Sequence, residues 1–462
     1  MKRRELLMLG AALLATPALA QQKPAPKPAA QKPVAPNAPP IPEPDPGPQA
    51  APIPAGARGV RVAVVGGKVV SNDGAPVDGA TVLFADGKIT AVGKGVAVPA
   101  GYKVIDAKGK WVTPGIFAPF SRLGIMEVEL EDSANDARVR AVAIPAAADA
   151  ASAFDPAAIP IAVTRVEGVT RAAVAPIGGP SPICGFGLTA DLSGDDDSIS
   201  RQKAFLYIEA GELGASRAGQ SRMTLWPYLD AAFSDVAGVP MRYMSHSEGI
   251  VLRRAEAEAL VPVLRGRIPI LMRVERASDI RQAIALKRKR PELKINLVGC
   301  SEAWRVASEL AAAGIGVIVS PVENLPGSFE TLGSRADNAA ILAKAGVKVA
   351  IGSAPNSDEG HQVRLTPQLA GNAVAHGMDW DDAFKAITSV PADLYGLANA
   401  GRLRPGFVAD LVVWDGDPLE VMTNAEAVFI AGAPVAPDSR QTRLRDRYLD
   451  IKGADEKPFQ YR

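Results

Sequence analysis

The stretch Val112-Thr113-Pro114-Gly115-Ile116-Phe117-Ala118-Pro119-Phe120-Ser121-Arg122-Leu123-Gly124 stands between two different hydrophobic patterns. Before it, from Gly59 to Val112, short alternating apolar runs are separated by turn sequences such as Asp86-Gly87, which is typical of small antiparallel strands. After it, from about residue 114 to residue 400, continuous apolar runs alternate with helical segments. The stretch therefore marks the passage from a small β-rich part to a larger α/β part.

The larger part predicts an α/β fold with a parallel sheet. The apolar runs Ile268–Val274 and Ile295–Val298 precede the helical segments Asp279–Lys289 and Glu302–Ala313. Continuous apolar strands that alternate with helices indicate a parallel sheet covered by helices, and a closed (β/α)8 TIM-like barrel is the natural solution at this length. An open doubly wound sheet is the alternative, but no G-x-G-x-x-G or GxxxxGK[ST] motif supports it.

The β-rich pattern returns near the other end of the chain, in Asp410–Pro418 and Ala427–Gly432. Two such pieces around a long middle predict one small β-sandwich domain that both chain ends build. We assign residues 59–113 and 401–440 to this domain and residues 114–400 to the barrel.

The N-terminus has the pattern of an export sequence. The charged start Met1-Lys2-Arg3-Arg4 is followed by an apolar run and by Ala18-Leu19-Ala20, a cleavage-site pattern, so residues 1–20 are predicted to be a signal peptide. Residues 21–57 are rich in Pro and Ala, as in a disordered linker. We expect a periplasmic or secreted protein, with the choice between the general and the twin-arginine export routes left open.

Composition excludes some classes of partner. Lysine plus arginine number 51 against 50 acidic residues, a net charge of +1, which argues against nucleic acid as a partner. After the signal peptide, no apolar stretch is long enough to cross a bilayer, so no membrane association is expected after processing. The pairing of Cys184 and Cys300 cannot be read from sequence, and two separate buried thiols are favoured over a disulfide.

The motifs together resemble the amidohydrolase superfamily, and most of all its imidazolonepropionase-like, secreted members. The matching segments, in chain order, are Gly79–Leu83, Asp86–Ile89, Ile105–Gly109, Val112–Gly115, Pro391–Gly401, Arg404–Gly406 and Ala409–Trp414. The resemblance implies a barrel with one or two divalent metal ions, zinc or similar, at its mouth, beside a sandwich made from both chain ends. It also implies hydrolysis of non-peptide C–N bonds and self-association.

The same resemblance places non-ligands where the family has metal ligands. The H-x-H pair of the first strand falls on Phe120 and Arg122, and the histidines and aspartate of later strands fall on Arg273, Gly299 and Ala354. A phenyl ring offers no lone pair, and a guanidinium keeps its positive charge. The fourth-strand ligand has no clear counterpart, with Glu209 as a loose candidate. We therefore expect no catalytic residue, no metal and no other cofactor at these positions.

The remaining residues that could bind a metal ion or act as a nucleophile are not expected to rebuild such a site. The histidines are His246, His361 and His376, none of which is predicted at the end of a barrel strand. Asp358 is a single carboxylate, and Cys300 has no predicted base to activate it.

Two arginines are expected to converge in the barrel mouth. Arg122 and Arg273 would lie there with Glu275 and Glu302, either as an internal ion network or as a pocket that binds a small carboxylate.

Three functions follow from these observations. The first is a catalytically degenerate, exported protein that acts as a non-catalytic subunit or partner, in a homo-oligomer or with an active paralogue. The second is an active hydrolase of a cyclic amide or an N-acyl amino acid with a rebuilt site. The third is a binding module for small carboxylates through Arg122 and Arg273.

Overall fold

The computed structural model describes Ile53 and residues 55–141, 144–239, 251–355 and 360–449. The predicted signal peptide, most of the predicted linker, His246 and Asp358 lie outside the described residues.

An eight-stranded sheet forms the nearly closed barrel that the sequence predicts, in the order β13-β12-β11-β10-β9-β8-β7-β6. Its strands are β6 Ile116–Ser121, β7 Val169–Val174, β8 Ile183–Asp191, β9 Ile199–Glu209, β10 Ile270–Val274, β11 Ile295–Gly299, β12 Val317–Val319 and β13 Val349–Ile351. From β9 to β13 all neighbours pair in parallel, as continuous apolar strands followed by helices favour.

The third barrel strand departs from the regular (β/α)8 pattern. β8 pairs antiparallel with both β7 and β9. The connections before and after β8 are short and contain turn sequences, Gly178-Gly179-Pro180 and Ser193-Gly194-Asp195. A parallel connection needs a dozen or more residues, so these two turns leave only the antiparallel arrangement.

Strands from both chain ends share the second sheet, in the order β16-β15-β14-β5-β1-β2-β3, with β4 paired to β1. The strands are β1 Val62–Val69, β2 Val77–Ala85, β3 Lys88–Gly93, β4 Lys103–Asp106, β5 Trp111–Pro114, β14 Leu411–Trp414, β15 Ala425–Ile430 and β16 Ala433–Pro434. β1 pairs with β4 through its first half and with β5 through its second, with a bulge between Val64 and Gly67. The sheet has its own buried core, which includes Val64, Phe84 and Leu411.

Most of the α-helices follow barrel strands. They are α1 Ile159–Arg165, α2 Glu212–Arg217, α3 Arg222–Ala237, α4 Arg254–Leu264, α5 Ala277–Lys289, α6 Ala307–Ala313, α7 Asn338–Lys344, α8 Thr366–Ala375, α9 Trp380–Ala386, α10 Ser389–Leu394 and α11 Arg440–Leu449. Short 3-10 turns cover Ala55–Gly59, Asp132–Ala134, Pro145–Ala147, Ala150–Ser152, Ala303–Val306, Phe329–Thr331 and Val363–Leu365. Within the described ranges, every helix is too short or too polar to span a bilayer.

The segment Val112–Gly124 joins the two sheets, because β5 ends at Pro114 and β6 begins at Ile116, with Gly115 between them. A Cβ atom on Gly115 would lie 2.2 Å from Oγ1 of Thr170, so only glycine allows this approach of β6 to β7. The Gly115 N–H donates to the Asp410 carbonyl.

The Asp410 carboxylate connects the same junction. It accepts from Nε of Arg171 on the barrel strand β7 at 2.5 Å and from the Ala431 N–H of the second sheet at 2.8 Å. Both charged side chains are almost fully buried.

We predict that Asp410→Ala lowers the free energy of unfolding by about 3–5 kcal/mol, because it leaves the Arg171 charge buried without its partner. Urea denaturation followed by circular dichroism measures this. Glu309→Gln is the control, since Glu309 pairs with Arg281 on the exposed surface and its loss should change little. Equal effects of the two substitutions would contradict a structural role for the Arg171–Asp410 pair.

Candidate functional site

The first-strand positions lie inside the barrel. Phe120 is buried against Tyr207, with ring centroids 5.8 Å apart. Arg122 is only 3% exposed, and its Cζ atom lies 4.5 Å from the Phe120 ring centroid. Its Nη1 donates to the Ala175 carbonyl at 2.7 Å. The Arg122 charge is therefore held by an aromatic face and a carbonyl oxygen of the barrel itself.

Arg273, at the end of β10, is surrounded by three carboxylates. Its guanidinium nitrogens lie 3.4 Å from Oε2 of Glu209, 3.3 Å from Oε1 of Glu275 and 3.7 Å from Oε1 of Glu330. All four side chains are at most 8% exposed. We call Arg273, Glu209, Glu275 and Glu330 the arginine–glutamate cluster.

Further contacts hold each carboxylate of the cluster in place. Glu209 accepts from the Tyr207 hydroxyl at 2.9 Å, and Glu275 accepts from the Ser301 hydroxyl at 2.7 Å. Glu330 accepts from the Glu212 N–H at the start of α2 and from Arg222 at the start of α3. The cluster thus ties the ends of β9, β10 and β11 to the loop after β12.

Burial and the neighbouring charges shift the pKa values of these groups in opposite directions. Burial works against the Arg273 charge, but the carboxylates, Glu209 first, outweigh it and raise the pKa of Arg273. Burial raises the pKa of Glu275, and the nearby Arg273 charge only partly offsets this. Arg122 has a lowered pKa, because burial outweighs the interactions with Tyr207 and Glu209. The cluster is stable only as a whole, since each buried charge depends on its neighbours.

The other two substituted positions line a small pocket beside the cluster. Gly299 and Ala354 border it together with Glu275 and Ser301, and its volume of about 20 Å³ is room for roughly one water molecule. Gly299 has φ +90°, and a Cβ atom there would lie 2.4 Å from Oε1 of Glu275. A histidine at this position would strain the backbone and would require the Glu275 carboxylate to move away from its present partners.

Glu302 makes contacts other than those with Arg122 and Arg273 that the sequence predicted. Its Oε2 accepts from the Ala277 N–H at the start of α5, and its Oε1 lies 3.9 Å from Arg305. Glu330 stands beside Arg273 instead. Sequence reasoning missed Glu330, because it lies in a loop without any motif, 57 residues from Arg273 along the chain.

The remaining candidates lie apart from the cluster or are chemically inert. His376 is exposed at the C-terminus of α8, where its ring nitrogen contacts the Asn372 carbonyl, away from the ends of the barrel strands. His361 lies in a different pocket, with Glu127 and Arg440. Cys184 and Cys300 are free, buried thiols, and burial raises the pKa of both, so the reactive thiolate form is disfavoured.

The residues present do not fit the metal centre that the resemblance implies. Within the described ranges, no three His, Cys, Asp or Glu side chains are grouped so that they could hold a metal ion. The carboxylates nearest the expected place, Glu209 and Glu275, are bonded to the Arg273 guanidinium. This donor set binds an arginine, and its chemistry is that of an ion network rather than of metal-activated water.

We predict that Arg273→Met destabilises the fold by about 3–5 kcal/mol at neutral pH, because three buried carboxylates then lose the cation they share, and of the three only Glu330 keeps an ion pair in the described part of the chain, with Arg222. Burial already raises the pKa of Glu275, and loss of the Arg273 charge would raise it further, so stability is lost as pH rises and the deficit shrinks towards pH 5. Thermal unfolding across this pH range measures it. Arg281→Met is the control, since that arginine is exposed. A deficit that is small or independent of pH would contradict the cluster's role.

Comparison with known proteins supports the family resemblance. The sequence profile of the amidohydrolase family matches residues 297–436. An imidazolonepropionase of Cereibacter sphaeroides is 28% identical over 172 residues, which are 37% of this chain and 42% of that enzyme. The chain thus spans less than half the length of the curated relatives it matches.

Solved structures give the widest coverage. An amidohydrolase from Thermotoga maritima has a TM-score of 0.72 and 25% identity, and the match covers 81% of this chain and 99% of that one. An atrazine chlorohydrolase from Arthrobacter aurescens, solved with zinc, has a TM-score of 0.51 at 16% identity, with 84% and 98% covered, and shares the fold. The family profile, the curated relatives and these structures agree with the barrel and its motifs, and this chain belongs to the amidohydrolase superfamily.

Proposed function

We propose that this protein is a catalytically degenerate member of its superfamily, which is exported and acts as a non-catalytic subunit or partner. One observation carries the proposal: the guanidinium of Arg273 lies among Glu209, Glu275 and Glu330 at the barrel mouth. The side chain of Arg273 is a permanent cation, and it pairs with the carboxylates that a metal ion at this place would need as ligands. The cation has no exchangeable water to offer as a nucleophile.

The small volume of the pocket at the barrel mouth also supports the proposal that the protein is catalytically degenerate. A pocket of about 20 Å³ at Gly299 and Ala354 compares with roughly 300–1,000 Å³ for typical small-molecule sites. The clash of any side chain at Gly299 with Glu275 removes one ligand position by geometry, in addition to the loss of its histidine. An active hydrolase with a rebuilt site would need both donors and room for substrate.

The carboxylate-binding alternative has less support, because both guanidiniums are already engaged. Arg122 bonds to the Ala175 carbonyl, and Arg273 faces three internal carboxylates. An added carboxylate would have to displace one of these buried partners and would leave it unpaired.

Exposed apolar side chains around the mouth support a partner role. Segments that follow three barrel strands contain them: Val128 and Leu130 after β6, Met223 in the first turn of α3 after β9, and Val322, Leu325, Phe329 and Leu332 after β12. Leu130 and Phe329 are 96% and 87% exposed. Large apolar groups in this number suit contact with another protein, and we propose a second amidohydrolase-like chain, either a copy or an active paralogue.

We predict that the purified mature protein contains far less than one divalent metal ion per chain, even after incubation with zinc. Elemental analysis measures the metal content. Assays with cyclic amides and N-acyl amino acids should show no hydrolysis, while an active superfamily member purified in parallel provides the positive control. Calorimetry with small carboxylates should give no heat. Stoichiometric metal together with hydrolysis would overturn the proposal, and carboxylate heat that Arg122→Met abolishes would favour the binding module.

We also predict that the tagged full-length chain, expressed in its own host, is recovered from the exported fraction with its N-terminus at Gln21. Intact-mass measurement and light scattering should find it with a second copy or with a homologous amidohydrolase chain. The variant Leu325→Ser/Phe329→Ser should lose this association, and Val421→Ser, an exposed apolar residue between β14 and β15, should keep it. A monomer that retains Met1 would contradict both export and assembly.

A further inference from the structure

A second, larger cavity lies at the opposite end of the barrel strands. Its volume is about 410 Å³, within the range of small-molecule sites. The residues that begin the strands border it: Arg201 stands near the start of β9, and Lys294 and Lys348 directly precede β11 and β13. The arginine–glutamate cluster lies at the other ends of the same strands, so the two sites are separate.

The cavity is strongly basic. Five cationic side chains line it, namely Arg201, Arg267, Lys287, Lys294 and Lys348, against the single carboxylate of Asp393. Asp393 is paired through both oxygens with Arg402, which does not line the cavity. A chain with a net charge of +1 has here a local excess of positive charge that its composition does not suggest.

The five cations have no ionic partner within the described ranges. Arg201 donates to the Tyr395 and Arg267 carbonyls, and Lys287 donates to the Gly314 carbonyl. Among the residues that the structure describes, most other arginines are paired with carboxylates, Arg281 with Glu309 for example. Burial alone lowers the pKa of Lys287, so its charge lacks a compensating anion.

Like charges around one cavity repel one another, and a ligand with two or more negative charges would relieve this repulsion. Lysines act as point charges for phosphate, and an arginine fork binds two of its oxygens. The apolar side chains of Leu293, Leu394 and Pro291 also border the cavity and suit a small organic group. We propose that this cavity binds a phosphate-bearing anion of at least two charges, as a free phosphorylated compound or as the headgroup of an anionic phospholipid.

Calorimetry of the mature chain with inorganic pyrophosphate, at low ionic strength and without divalent metal, tests the free-anion source. Flotation with vesicles of phosphatidylcholine that contain cardiolipin, a phospholipid with two phosphates, against phosphatidylcholine alone, tests the lipid source. We expect binding in at least one arm, weakened by added salt because screening reduces the attraction of exposed charges.

The variant Lys294→Gln/Lys348→Gln should lower the affinity in that arm about ten-fold or more. Both lysines are exposed, so the fold should be kept, which circular dichroism checks. The control Lys88→Gln/Lys103→Gln removes two exposed lysines of the second sheet and should leave the affinity unchanged. Absence of binding in both arms, or equal loss in the two variants, would overturn the proposal.

Discussion

The pairing of one buried arginine with three buried glutamates is the constraint on which the barrel mouth depends. Arg273 sits on β10, and its carboxylate partners come from β9, from the residue after β10 and from the loop after β12. A buried guanidinium needs groups that compensate its charge, which carboxylates supply around Arg273, and buried carboxylates need a cation or hydrogen-bond donors in turn. Each partner therefore restricts where its neighbours can lie. The network continues through hydrogen bonds to Tyr207 and Ser301, and through Arg222 to the start of α3.

This arrangement connects the stability of the barrel mouth with its proposed lack of catalysis. The cluster, the aromatic pair around Arg122 and the close approach at Gly299 fill much of the barrel mouth and leave a pocket of about 20 Å³ there. A network of this kind stabilises only when complete, so reversion to a metal site would need several coordinated substitutions. The basic cavity at the other strand ends is independent of this constraint, because none of its five cations belongs to the cluster.

Much of the fold could be predicted from local patterns. Continuous apolar runs followed by helical periodicity located β10, β11 and the helix Ala277–Lys289, and the β-rich chain ends indicated a shared second sheet. The antiparallel β8 was missed, since its apolar run resembles that of a parallel strand and only the short turns around it decide its direction. Contacts of the site were harder to predict: Arg273 and Glu275 were expected together, Glu330 was not, and Glu302 has other partners.

The sequence by itself indicated the family and led to the prediction that five positions lack metal ligands, because side-chain identity alone decides whether Phe120, Arg122, Arg273, Gly299 and Ala354 can donate to a metal. Only the tertiary structure decided what occupies that place. Glu209, Glu275 and Glu330 reach Arg273 from segments up to 121 residues apart, and strand pairing and loop packing bring them together. The basic cavity also depends on the tertiary structure, because the packing of the barrel brings together lysines and arginines that are far apart in the sequence.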